Sequence, residues 1–521
     1  MNGPPAPAHQ DLLVVGALAV AAHATALAGG FVWLDHAHLE DGLALASPSH
    51  FLELFAHGFA GTGFYRPLLS LSLSLDAALS GAPALYRAVT LAWHALAAVS
   101  VSVAGRSLGL GARAALIAGL AFAVHPLTCL VASATAFRSE SMSLVCLLGL
   151  LVAHRAGRPV WAAFALAAGA LTKESTWVLG PLLIAALELG TPRKSRPRFT
   201  PVLVAEGAAL LVVSALRWAF APPFRATHLA LSPGEALGTR LAAFAKSARA
   251  LVLPLDPTVC DAFPVTPLAS FAALTGAALL VGLAWLAYRQ RGIALLFALT
   301  LLPTLQLVPV MRWWSPHYLY VPLAFATMLL GRHAETWGSK PLLALGVACL
   351  ACAGLSLADG RRYANDTALF VPEVTHEPAC REAQFFLGEA ARLRQRWAEA
   401  ASRYERATTP TAGIIAYADE LAALENLGAV RLALGERAEA KAAWSAALTR
   451  AGGRNEARRV VHNLAVLALQ NGDPREAAQL LEPEAARADA MPASLAVRAR
   501  ALELLEHGVS AQRLAPQRLG E

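Results

Sequence analysis

FVWLDHAHLEDG at 31–42 and GTGFYRP at 61–67 bracket the stretch on which the reading of this chain turns. Between them lies an amphipathic piece, PSHFLELFAHGF at 48–59. Asp35, His36, His38, Glu40, Asp41, Tyr65 and Arg66 crowd this one polar interruption. One apolar run precedes it and many follow, so it reads as a loop at the mouth of a membrane bundle, carrying the chemistry that the rest positions.

Working outward, the 521 residues are 56% hydrophobic and 15% charged, against about 25% charge for a soluble protein. Apolar runs lie near 12–30, 85–104, 112–127, 134–153, 158–172, 175–190, 200–220, 267–287, 292–310, 317–331 and 341–358. These predict an all-α, multi-pass membrane domain of about eleven transmembrane helices, several of them short for the roughly 20 residues a bilayer needs. The Leu/Ser alternation at 68–79 could pass for a strand; too short to span and carrying Asp76, it is expected to lie flat at the membrane interface. No cleavable leader is expected, because the first run has no basic n-region and Gly29-Gly30-Phe31 is a poor cleavage site.

A net charge of +7 raises the question of nucleic acid, but no basic stripe interleaved with aromatics is present, and nucleic acid is not expected as a partner. The Lys and Arg residues instead gather in alternate short loops: Arg106 and Arg113, Arg155 and Arg158, PRKSRPR at 192–198, Arg289 and Arg291, Arg332 and Lys340. The positive-inside rule puts these in the cytoplasm, and the first polar loop and the C-terminal tail outside. The seventh loop, with Arg225, Arg240, Lys246 and Arg249, runs against that bias, which long loops obey less strictly. Cys349 and Cys352 form a CxxC inside an apolar run, where membrane packing explains them better than metal or redox chemistry.

Beyond Asp359 the composition shifts to Ala, Glu, Arg and Leu at helical spacing. Leu387-Gly388, Ala400, Tyr404 and Ala407 fall at tetratricopeptide-repeat offsets, as do Leu427-Gly428, Ala440, Trp444 and Ala447, and Leu464-Ala465, Ala477 and Leu481. Small residues there let paired helices cross closely, and large ones plug the gap. The units are 40 and then 37 residues apart, longer than the usual period of about 34, so long inter-repeat turns are expected.

The expected outer face collects Asp35, Arg66, His125, Arg138, Glu140, Lys173, Glu174, Arg312 and His317. Outside the cytoplasm nucleotide sugars and ATP are not generally supplied, and the chain has no Walker loop and no GxGxxG. A lipid carrier is then the expected source of an activated group. Sugar transfer from a polyprenyl phosphate needs a carboxylate to take the acceptor's proton, a cation for the leaving phosphate and an apolar groove. Asp35 suits the first role, or is a solvated loop acid. Arg66 suits the second, since guanidinium grips phosphate with two parallel hydrogen bonds, or it snorkels at the interface. Tyr65 either bonds the same phosphate or belongs to the aromatic belt. A charged pair such as Arg138 and Glu140 at the head of an apolar run needs partners or water; Lys173-Glu174 could be a turn that pairs with itself. Asp35, His36 and His38 also carry metal-ligand chemistry, but HxH in a loop fixes no geometry, so a divalent metal stays open and no cofactor is assigned.

The ordered motifs resemble the transmembrane and tetratricopeptide-repeat O-mannosyltransferase family and its bacterial relatives, which have the GT-C fold. They are FVWLD at 31–35, YRPL at 65–68, GAPALY at 81–86 with His94, FAVHP at 122–126, Arg138-Ser139-Glu140, Lys173-Glu174 and YLYVP at 318–322. The resemblance covers nearly the whole chain. It implies an inverting glycosyltransferase that takes a sugar from a polyprenyl phosphate and modifies an exported protein or glycan on the extracytoplasmic face. Asp35 and Glu140 would be its catalytic residues, with Asp35 the base. Tyr65, Arg66, His125, Arg138, Lys173, Glu174 and His317 would line the substrate site, with Arg66 on the phosphate. The expected domains are a GT-C membrane domain at 1–358, a linker at 359–375, tetratricopeptide-like repeats at 376–490 that would take the acceptor, and a C-terminal helix and tail at 491–521, all in the inner membrane with the tail outside. Leu34 stands where the family has the first acid of a pair, Leu130 where it has a glutamate, and His317 where it has an arginine. The alternative is therefore an inactive relative acting as a membrane-anchored scaffold for exported proteins. A transporter of lipid-linked sugars is a third reading.

Overall fold

The computed structural model describes residues 9–40, 52–59, 63–190, 201–221, 231–255, 258–307, 312–451 and 457–506. The basic cluster at 192–198, together with Asp41 and Arg225, lies outside the described residues. The chain divides into two units, Met1–Pro372 and Glu373–Glu521.

In the first unit each of the eleven apolar runs contains a helix. The order opens with α1 (His9–Ala22), α2 (Pro67–Leu79) and α3 (Pro83–Ser107). Proline starts α2 and α3, where its missing N–H costs nothing. Next, α4 (Ala112–Val124) breaks at His125-Pro126 and resumes as α5 (Cys129–Ser133), bent by 58°. The break follows from Pro126, which has no N–H to donate and pushes His125 into an extended conformation. Then come α6 (Arg138–Arg155), α7 (Pro159–Thr172), α8 (Glu174–Gly190) and α9 (Pro201–Phe220). The long loop folds as α10 (Pro233–Val252), begun by a reciprocal cap between Ser232 and Glu235. The last five are α11 (Phe271–Gln290), α12 (Ile293–Thr300), α13 (Tyr320–Ala334), α14 (Ser339–Gly360) and α15 (Asp366–His376).

Among the described residues five helices are long and apolar enough to cross a bilayer, six if the bent pair is one span; α1, α2, α7 and the stretch Ile293–Leu305 are apolar but shorter. A 14-residue helix reaches about 21 Å, less than a roughly 30 Å hydrocarbon core, so apolar runs and full-length spans are not the same count. α9, α11 and α14 leave most of their apolar surface uncovered, with Trp218 90% and Phe271 87% exposed, as helices facing lipid do. α6 is the opposite case, buried along nearly its whole length at the centre of the unit. At its C-terminal end His154 bonds Glu188 of α8 at 2.9 Å and Glu206 of α9 at 2.8 Å.

Two expectations change. The piece at 68–79 is a helix packed on α3 and α7, and Asp76 is buried against Arg138; an acid that finds a buried cation no longer needs the interface. The stretch 359–375 is not a linker. Tyr363 is buried, α15 follows, and Asp366 accepts the Trp33 N–H at 2.7 Å.

The second unit is a series of helical hairpins: α16 (Arg381–Leu393) with α17 (Trp397–Thr408), α18 (Glu420–Ala433) with α19 (Arg437–Ala451), and α20 (Ala457–Gln470) with α21 (Pro474–Leu480). The short α22 (Glu482–Ala485) and α23 (Pro492–Glu506) follow. Tyr404 and Trp444 are buried where glycine lets the partner helix approach: a Cβ on Gly388 would lie 2.8 Å from the Tyr404 ring, and one on Gly428 would strike the Trp444 indole. The indole N–H donates to the Glu425 carbonyl at 2.9 Å.

Candidate functional site

Two charge clusters flank the start of α6. The first is built around Arg87 on α3, which is fully buried. Its guanidinium donates to the carbonyls of Ala26 (3.0 Å), Gly30 (3.0 Å), Ser133 (2.8 Å) and Tyr363 (2.7 Å). It thus ties the chain just before the first polar loop to α5 and to the turn after α14. In that loop Trp33 is buried with φ 56°, a left-handed conformation that a bulky residue adopts only when its surroundings insist. Its N–H is held by Asp366, its ring packs on Phe137 and Phe370, and the Arg312 guanidinium lies 5.1 Å over it.

Asp35 follows at 0% exposure. One carboxylate oxygen accepts the Ala136 N–H at 2.7 Å and the other the Val32 N–H at 3.2 Å. Burial pushes its carboxyl up to about 6, against the pull of Arg87 and of the two backbone donors. Arg138 is equally buried: it ion-pairs with Asp76 at 2.5 Å and donates to Thr90 Oγ1 (3.0 Å), Ser72 Oγ (2.9 Å) and the Tyr86 carbonyl (2.7 Å).

The second cluster lies at a more open mouth. Arg66 N-caps α2, and its Nε and Nη2 donate to the Glu174 carboxylate at 3.0, 3.0 and 2.7 Å. The Tyr65 N–H reaches the same carboxylate at 3.3 Å, and the Phe64 ring lies 4.3 Å from the guanidinium. Lys173 donates to Glu140, and His317 Nε2 stands 3.8 Å from the same Glu140 oxygen. The charges of Lys173, Arg312 and Arg66 all bear on His317. Lys173 and Glu174 do not pair with each other. Lys173 is extended and Glu174 begins α8, so the adjacent side chains diverge to different partners. Arg138 and Glu140 part for a related reason, since two residues along a helix is about 200° of rotation.

The structure therefore brings Arg66, Glu174, Lys173, Glu140 and His317 together, and keeps Asp35 and Arg138 in the buried cluster alongside. The Phe137 ring links the two, packing on Trp33 and on His317. The Tyr65 hydroxyl donates to the Phe55 carbonyl at 2.8 Å, so its backbone rather than its phenol faces the cluster. His125 lies apart, bonding the Leu251 carbonyl at 3.2 Å, and lines an apolar cavity of about 540 Å³ among α4, α10, α11, α12, α13 and α14. Cys349 and Cys352, both free, line the same cavity. His36 bonds Asp366 at 2.9 Å and His38 packs edge-on to Phe59. Among the described residues no three His, Cys, Asp or Glu side chains are placed to hold a metal ion. Sequence reasoning missed Arg87, Asp76 and Asp366, whose partners lie far along the chain; Arg312 was visible only as one more outer-face charge.

No family model and no curated protein matches the chain. Among solved structures it is similar to the crystal structure of ArnT from Cupriavidus metallidurans bound to undecaprenyl phosphate. The identity is 18% and the TM-score 0.45, over 75% of this chain and 73% of that one.

Proposed function

We propose that this chain is a GT-C-type glycosyltransferase that moves a sugar from a polyprenyl-phosphate carrier to an exported protein or glycan. The reaction runs on the extracytoplasmic face of the inner membrane, and the C-terminal hairpins, read as tetratricopeptide-like repeats, present the acceptor. The observation that carries this reading is the mouth cluster, where two cations, Arg66 and Lys173, largely buried at 12% and 14% exposure, each pair with a side chain of opposite charge. His317 of the same cluster lies three residues before α13, whose Leu323 and Thr327 line the apolar cavity. A lipid phosphate needs that combination of cations and an apolar groove. The ordered motif series supports the same reading.

In the reaction the acceptor hydroxyl oxygen attacks the anomeric carbon and its proton passes to a carboxylate. The carbon–oxygen bond to phosphate breaks as the new bond forms, with inversion, and the polyprenyl phosphate leaves with the electron pair. Arg66 and Lys173 would hold that phosphate. Asp35, with its carboxyl near 6, is tuned for a base at neutral pH, and Glu140 stands by the leaving group. The strained Trp33 two residues earlier is the kind of feature that functional loops hold.

A second reading, an inactive scaffold, is favoured by one observation: both Asp35 oxygens already accept backbone N–H groups in a buried site. The test is transfer by the full-length protein in nanodiscs from a panel of polyprenyl-phosphate sugars. Asp35→Asn is expected to lose about 10²–10⁴ in rate with donor affinity unchanged. Arg66→Ala is expected to weaken donor binding as well, and Arg66→Lys to restore it in part. Absence of transfer from every donor, with exported polypeptides still bound, would establish the scaffold.

A further inference from the structure

Arg66 spends its bidentate edge on Glu174. Nε and Nη2 both face one carboxylate, and the Tyr65 N–H joins them. Three donors converging on two oxygens make an anion seat, and the fork that grips a carboxylate also grips a phosphate. The seat is filled by a side chain of the chain itself. Lys173 is matched in the same way by Glu140.

A phosphate cannot simply be added. With both carboxylates in place, a further anion beside Arg66 would meet Glu174 at contact distance, and like charges so close repel strongly at a partly desolvated site. One carboxylate has to move. Glu140 is 3% exposed, its carboxylate shut among Lys173 and His317, whereas Glu174 is 25% exposed on the first residue of a helix. Of the two, Glu174 is the carboxylate nearer to water and so the one assigned to move.

Resting on the lipid-carrier reading above, we propose that Glu174 is a tethered stand-in for the donor phosphate. The donor binds by exchange, displacing Glu174 from Arg66, and product release is assisted when Glu174 returns. The exchange sets an order: with Glu174 on Arg66 the seat is closed, so donor enters first. It also sets affinity, since every donor competes with a carboxylate already at the site. Because the displaced carboxylate swings to the open side of the mouth, it faces the acceptor only in the donor complex.

The test is binding of polyprenyl phosphate to the full-length protein in nanodiscs, followed by calorimetry, for the unmutated protein, Glu174→Gln, Glu174→Asp, Arg66→Ala and the Glu174→Gln/Arg66→Ala pair. Removing the competitor is expected to tighten binding at least tenfold in Glu174→Gln. The shorter Glu174→Asp should fall between, and in the Arg66→Ala background the Gln substitution should gain nothing. Inorganic phosphate is the control for source: it is expected to bind Glu174→Gln at least a hundredfold more weakly than the lipid. Equal affinity would keep the exchange and reassign the seat to free phosphate. If the unmutated protein binds the lipid and Glu174→Gln binds no more tightly while melting normally, the exchange is overturned and the site reading stands. Should the unmutated protein and Arg66→Ala bind neither ligand, both fall together.

Discussion

Arg138 and Arg66 are both arginines at the mouth of one bundle, both next to carboxylates, and they do opposite jobs. Arg138 is sealed: its charge is spent on Asp76 and its remaining donors on Thr90, Ser72 and the Tyr86 carbonyl. Arg66 bonds one carboxylate, Glu174, at a site less deeply buried than that of Arg138. A guanidinium surrounded by fixed backbone and hydroxyl acceptors holds helices together. One that faces a single, less buried carboxylate is the one proposed above to trade it for a ligand. The difference lies in the partners, and no local pattern around either arginine announces it.

The largest effect that would sharpen this contrast is on stability. Arg138→Met leaves Asp76 buried without its cation, which costs on the order of 3–5 kcal/mol, read as a large drop in melting temperature in detergent. Adding Asp76→Leu should recover most of it, because a buried ion pair replaced by apolar side chains of similar volume is often neutral. Arg66→Met should cost less than Arg138→Met, because Glu174 at 25% exposure is nearer to water than Asp76 at 4%. Equal losses at the two arginines would erase the distinction drawn between them.

A smaller break is available beside Arg87. A Cβ on Gly29 would lie 2.7 Å from the Arg87 guanidinium carbon and also strike the Tyr363 carbonyl. Gly29→Ala is expected to cost about 1–3 kcal/mol by overpacking, whereas Gly30→Ala, whose Cβ would meet its nearest neighbour at 3.5 Å, should cost far less. A melting series of the two variants checks it; matched losses would mean that the tight approach at Gly29 relaxes freely.

What the sequence disclosed follows the range of each interaction. The apolar runs are local and were readable; the proline-led starts of α2 and α3 and the break at His125-Pro126 have equally local causes but emerge only in the structure. The glycine and aromatic offsets of the hairpins were readable too, since Gly388 and Tyr404 repeat in Gly428 and Trp444. Arg87 was not, because its acceptors at Ala26, Ser133 and Tyr363 lie up to 276 residues away. Asp76 looked like an interfacial acid for the same reason. Lys173-Glu174 misled in the opposite way: adjacency suggested a self-paired turn, while an extended residue followed by a helix start sends the two side chains apart. Of the nine candidate site residues, the mouth cluster took in Arg66, Glu174, Lys173, Glu140 and His317 because each reaches a partner on another helix.

The smallest effect is on pH dependence, and it asks which side of the comparison Asp35 belongs to. Its carboxyl is raised by burial from about 3.8 to about 6. A base must be ionised, so if Asp35 takes the acceptor's proton the transfer rate should fall about tenfold per unit as pH drops below about 6. The stability contribution runs the other way. A folded-state value above the unfolded one means the native state binds the proton more tightly. Its stabilising effect is complete below about 3.8 and is lost as pH rises through about 6. Asp35→Asn is neutral throughout, so relative to the unmutated protein it should melt as high or higher at pH 7.5 and converge with it near pH 4.5. A residue that costs stability when ionised and is kept for its charge belongs with Arg66. A rate flat down to pH 5, with Asp35→Asn melting lower at every pH, would instead make Asp35 a fastener for the Ala136 and Val32 N–H groups, on the same side of the comparison as Arg138.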